Sequence, residues 1–152
     1  MPPALSIREQ ILVNIETTLA GITIAAGYAT TIGTVTRGHL SPLENLGLPF
    51  ASILPVNDMP EYGAGVLRRA LGLTVRVWID DAPVPAPTTL EALIADVQQV
   101  MQVDARRNGL AEQTLEGPVQ YLYLGDTERL AGADVGFDIR YKTLQSTPRT
   151  GA

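Results

Sequence analysis

The stretch Leu71-Gly72-Leu73-Thr74-Val75-Arg76-Val77-Trp78-Ile79-Asp80 carries the clearest alternation in the chain. Positions 71, 73, 75, 77 and 79 are all apolar, with Thr74 and Arg76 between them, the period of two that a strand with one buried face requires. Trp78 and Arg76 share the even side with the small residues Ala70 and Gly72. If helices cover the odd side, the even side faces solvent or another molecule; the other reading makes Trp78 a core residue of a two-sided sheet.

Toward the N-terminus, residues 57–65 (NDMPEYGAG) read as a turn or the tip of a long hairpin, and 50–56 as a short strand that Pro55 places at an edge or an end. Residues 38–49 mix Gly, Pro and Asn into a loop, and 28–37 are β-branched enough to predict another strand. Ser6-Ile7-Arg8-Glu9 fits a capping box, and Ile7, Ile11, Leu12, Ile15 and Leu19 follow as one helical stripe ending near Gly21. Toward the C-terminus, prolines 83, 85 and 87 break regular structure before a second capping box, Thr88-Thr89-Leu90-Glu91. The helix it opens buries Leu90, Leu93, Ile94, Val97, Val100 and Met101. Arg106 and Arg107 suit its negative end, and Asn108-Gly109 its C-cap. A polar link over 109–118 leads to strands at 119–125 and 134–142, and 144–152 reads as a loose tail. The expectation is an α+β domain: a mainly antiparallel sheet with two helices packed on one face, in the order α-β-β-β-α-β-β. Its ordered core spans about 5–143 of a single domain.

Composition narrows function mostly by exclusion. Of 152 residues, 45% are apolar and 18% charged, which suits one ordered domain. Eleven basic against sixteen acidic residues give a net charge of −5, all of it in residues 77–152. That balance argues against a protein that grips nucleic acid or anionic lipid, since both need clustered Lys and Arg. With no cysteine, disulfides, thiolate metal sites and Cys nucleophiles are excluded, and the lone His39 rules out His–His metal pairs. The most apolar run, 19–29, has eleven residues, short of the roughly 20 needed to span a bilayer, so no membrane partner is expected.

The chemical motifs dissolve on inspection. His39 lies in a Gly/Pro-rich loop with no G-x-S-x-G elbow to serve. Gly63-Ala64-Gly65 begins like a dinucleotide fingerprint, but Arg68 stands at the third glycine position and a strand follows. Asp80-Asp81, Asp126/Glu128 and Asp134/Asp138 lack the spacing of a cation loop. ARRNGLAEQTL (105–115) imitates a helix–turn–helix elbow but runs into Gly117-Pro118 and strand. No catalytic residue, metal or cofactor is assigned, and the chain is expected not to be an enzyme. What remains is aromatic and Arg-rich: Tyr62, Arg68, Arg69, Arg76 and Trp78, with Tyr121 and Tyr123. Tyr, Trp and Arg are the residues on which interfaces concentrate their energy, so the first five form a candidate contact surface for a neighbouring subunit or tube. If Arg68 and Arg69 bond to a neighbour's carboxylates, replacing both with alanine weakens assembly. A small α+β ligand-binding module is the competing class, and it predicts a monomer or dimer with a defined pocket.

The order of these elements resembles the tail terminator (tail completion, minor tail) proteins of long-tailed bacteriophages and related prophage-derived particles. The resemblance spans about residues 5–143 and rests on SIREQILVNIETTLAGI, PFASILPVNDMPEYG, LGLTVRVWID, TLEALIADVQQVM, VQYLYLGDTE and ADVGFDIRYKT. It implies a non-enzymatic virion protein, assembled in the host cytoplasm, that closes into a ring of six. The ring sits at the head-proximal end of the tail, stops polymerisation of the major tail tube protein and offers a surface to a head–tail connector protein. A head–tail connector or neck protein, or a tail-tube subunit, is the runner-up within the class. Six copies would carry about −30, and a negative lumen repels passing DNA instead of holding it.

Overall fold

A computed structural model describes residues 4–38, 49–63, 65–80, 86–123, 130–144 and 147–151. His39, Ala64, Asp81, Asp126 and Glu128 lie outside the described residues. The protein is α+β: helix α1 (Ile7–Ala20), strands β1 (Thr34–Arg37), β2 (Phe50–Tyr62) and β3 (Val66–Asp80), helix α2 (Ala86–Val103), then strands β4 (Gln113–Tyr123), β5 (Leu130–Leu144) and β6 (Thr147–Gly151). The sheet runs β1-β2-β3-β5-β4, with β6 paired to β5. Every pair is antiparallel except β1–β2.

α1 opens as its capping box requires, with the Ser6 hydroxyl accepting from the Glu9 amide at 3.1 Å. Its apolar stripe and that of α2 are buried against one face of the sheet, where Leu71, Leu73, Val75, Val77 and Ile79 of β3 meet Val135, Phe137 and Ile139 of β5. The two-helix, one-face expectation therefore holds.

Several boundaries move, each for a physical reason. Only 34–37 of the expected 28–37 strand is strand. Upstream, Thr23 caps a single 3-10 turn (Ile24–Ala26) and Gly27 turns left-handed at φ 98°. The Asp96 carboxylate of α2 then accepts from the Ala29 amide (3.2 Å), the Thr30 amide (2.8 Å) and the Thr30 hydroxyl (2.6 Å). Those amides are spent on a helix side chain and cannot join a ladder. The expected turn at 57–65 is mostly strand: β2 runs to Tyr62, and only the tip remains, with Gly65 at φ 72°. Pro55 and Pro60 are tolerated there because β1 covers the outer side of β2 only from Phe50 to Ile53.

α2 starts at Ala86, ahead of the Thr88-Thr89 box, with Pro87 in the first turn, where a missing amide costs nothing. Beyond its end, Arg107, Asn108 and Gly109 all take positive φ (50°, 56° and 81°). This bend turns the fully buried Arg107 side chain back to donate to the Met101 carbonyl, so an arginine does cap the helix. Burial lowers the guanidinium pKa of Arg107, opposed by Asp104. β4 begins at Gln113, not at Val119, because a register shift between Glu116 and Val119 absorbs Gly117-Pro118 as a bulge on an edge strand. The C-terminal tail is a strand too: β6 pairs with Thr143 and Leu144, and Arg149 donates to the Ala4 carbonyl at 2.6 Å.

Candidate assembly surface

Among the described residues the helices leave the other face of the sheet without a helical layer, and the even positions of β3 lie on it. At one end that face is closed. Trp78 stands opposite Gly132 of β5, and Phe50, Ser52 and Trp78 are all buried. Trp78 is 4% exposed, so it belongs to the two-sided part of the sheet and does not project as a contact residue. Arg76 is likewise turned inward on its own chain: its guanidinium grips the cross-strand Asp134 at 2.7 and 2.8 Å, and this bonding raises the arginine's pKa. Asp134 and Asp138 do share a face, as their spacing predicts, but each faces an arginine, Asp138 meeting Arg140 at 3.5 Å.

Further along, Gly72, Thr74 and Gly136 form a low floor between Asn57 of β2 and Pro118 of β4. At the hairpin end an open cleft of about 360 Å³ is lined by Met59, Glu61, Arg68, Glu112 and Arg140. Arg68 is exposed here, opposite Glu61 on one side and Lys142 on the other; Lys142 pairs with Glu112 at 2.7 Å.

Neighbouring residues of a strand point to opposite faces, and this separates Arg68 from Arg69. Arg69 lies on the helix side, 3.6 Å from Asp58. The same carboxylate takes Arg8 of α1 at 2.9 Å and accepts from the Tyr141 hydroxyl of β5. Asp58 thus ties the first turn of α1 to three strands. Replacing both arginines would disturb this internal cluster, so the expected assembly effect narrows to Arg68. Of the five candidate residues, only Tyr62, 74% exposed at the end of β2, and Arg68 present themselves outward.

Burial, and next its bond to Asp58, raises the Tyr141 pKa well above its ordinary value of 10. A raised value contributes stability that is present below pH 10 and is lost as pH climbs through the folded-state value. Urea titrations between pH 8 and 11 are expected to show the wild type losing stability above pH 10. Tyr141→Phe should start about 1 kcal/mol lower and run flatter. Equal alkaline slopes would contradict this account.

Sequence reading missed the Asp58 cluster because its members are 50 and 83 residues apart. The one local signal was an aspartate set between two edge prolines, Pro55 and Pro60. It also missed the exposure of Val56, read as the end of the 50–56 strand, and of Met59, read as part of the turn.

Among the described residues no helix is long and apolar enough to cross a membrane, and no three His, Asp or Glu side chains converge as metal ligands do. No protein-family model matches the chain, and no curated protein matches it. A solved structure does: a chain from "Virion of native gene transfer agent (GTA) particle" superposes with a TM-score of 0.56 at 14% identity, over 92% of this chain and 96% of that one. At that identity the likeness is one of fold, and it runs nearly end to end.

Proposed function

We propose that this protein is a structural subunit of a phage-type virion, and that it acts as a tail terminator. Copies close into a ring that caps the tail tube, ends its polymerisation and presents the surface for head–tail joining. The observation that carries this reading is the near end-to-end fold likeness to a virion component. It is joined by the element order that resembles tail terminators. The acidic side chains also support it, because Asp58, Asp96 and Asp134 are spent on arginines or backbone amides and are not poised for chemistry. In this reading no bond is made or broken, and DNA passes through the lumen without specific binding.

Light scattering with negative-stain microscopy, on the purified protein with and without tail-tube protein, tests it. Closed rings that bind tube ends and stop growth are expected. Filaments formed by the protein alone would point to a tube subunit. Rings that ignore tube protein would point to a connector or neck protein. A monomer in both conditions would remove the assembly reading.

A further inference from the structure

Besides the short strands β1 and β6, two longer stretches of sheet edge lack a strand neighbour among the described residues. One is the outer side of β2 over 54–62, beyond the reach of β1; the other is the outer side of β4. β2, β3, β5 and β4 alternate in direction, and because they are four, the two edge strands run opposite to each other. A second copy, rotated about an axis roughly along the strands, therefore brings its β4 beside β2 with the antiparallel alternation unbroken.

The side chains fit such a joint. Val56, Met59 and Tyr62 are 67%, 61% and 74% exposed, the most exposed apolar group on any one strand among the described residues. They are spread over about 20 Å of this edge at ~3.3 Å per residue, and Tyr62, opposite the buried Leu67, stands on its helix side. On β4, Leu115 and the ring of Tyr121 are exposed, while the Tyr121 hydroxyl donates to Glu91. Met59 lies opposite Ala70, and Leu115 opposite Asp138, so both sit on the face away from the helices. Lone proteins guard their edges with charge, lysine above all. β4 carries one charged residue, Glu116, and neither edge has Lys or Arg; on β2 the Asp58 carboxylate is turned inward to Arg8 and Arg69, which leaves Glu61 as its one outward charge. Pro55, Pro60 and Pro118 deny a long hydrogen-bonded ladder, which leaves side-chain packing as the main contact.

Building on the ring reading, we infer that the distal edge of β2, through Val56, Met59 and Tyr62, seats against the β4 edge of a second copy of this chain. Contact between unlike edges is head-to-tail, and head-to-tail contacts close into rings when the rotation allows.

The chain has no cysteine, so introduced thiols report only the designed contact. Met59→Cys and Leu115→Cys together, treated with a short bismaleimide in the presence of tube protein, should give a ladder from dimer up to the closed ring. Each single variant alone should stay uncross-linked, and an equal mixture of the two should stop at dimers. Met59→Lys should abolish the assembly while leaving the melting temperature within about 2 °C, since the side chain is exposed. Single variants that cross-link to themselves, or wild-type rings without a ladder from the double variant, would overturn the edge contact and leave the ring reading standing. Wild-type protein that stays monomeric with tube protein present would overturn both.

Discussion

Gly132→Val is expected to lower the unfolding free energy by about 3–5 kcal/mol, and Gly132→Ala by about 2–3 kcal/mol. A Cβ on Gly132 would stand 2.7 Å from both the Trp78 ring at Cζ3 and the Val77 carbonyl oxygen, with Trp78 Cε3 nearer still. The ring cannot swing clear cheaply, because Trp78 is buried beside Phe50 and Ser52. For a domain of this size each kcal/mol moves the melting temperature by roughly 2–4 °C, so the valine variant should melt about 6–20 °C lower. Trp78 is the only tryptophan in the chain, which makes its fluorescence a local reporter. Emission should shift to the red in both variants. Trp78→Leu in the alanine background should recover part of the loss, but not all, because the Val77 carbonyl remains. A melting temperature within 2 °C of wild type for the alanine variant would mean that the indole does not rest on this glycine.

Asp96→Ala should cost about 3 kcal/mol, the second large effect. The carboxylate is buried and takes three hydrogen bonds from Ala29 and Thr30, so its loss orphans two amides and a hydroxyl at once. Asp96→Asn keeps one acceptor oxygen and should cost about half as much. Thr30→Val removes only the hydroxyl bond, and a double-mutant cycle with Asp96→Ala should show coupling of about 1 kcal/mol. Hydrogen exchange gives the local readout: the amides of Ala29 and Thr30 should lose protection before those of β3. If they exchange at wild-type rates in Asp96→Ala, this carboxylate does not hold the 28–33 segment.

These two sites mark where local reading ends. A local pattern says which side of an element is apolar, and on that level the stripe of α1, the stripe of α2 and the odd face of β3 were all legible. So was the Ser6 cap, whose bond spans three residues. The length of a strand is another matter, since it depends on whether a neighbour supplies a ladder. β4 extends back to Gln113, and β6 exists at all, because β5 offers them an edge. The segment 28–33 loses its strand because Asp96, 66 residues from Thr30, claims its amides.

The candidate surface shows the same limit. Arg68 and Arg69 are adjacent in sequence, and once residues 66–70 are known to be strand, their opposite facing follows from the period of two. Read by composition alone, the pair looked like one patch. Trp78 carried every compositional mark of an interface anchor, yet a glycine 54 positions later takes its ring into the fold.

Fold class, the helix-covered side of the sheet and the want of a cysteine or histidine constellation were thus written in the order and type of residues, because each rests on periodicity or count. Which arginines reach solvent, that the lone tryptophan is core and which strand edges stand open came only with the packed chain. Those properties belong to pairs of residues far apart in sequence, and no local pattern names the partner.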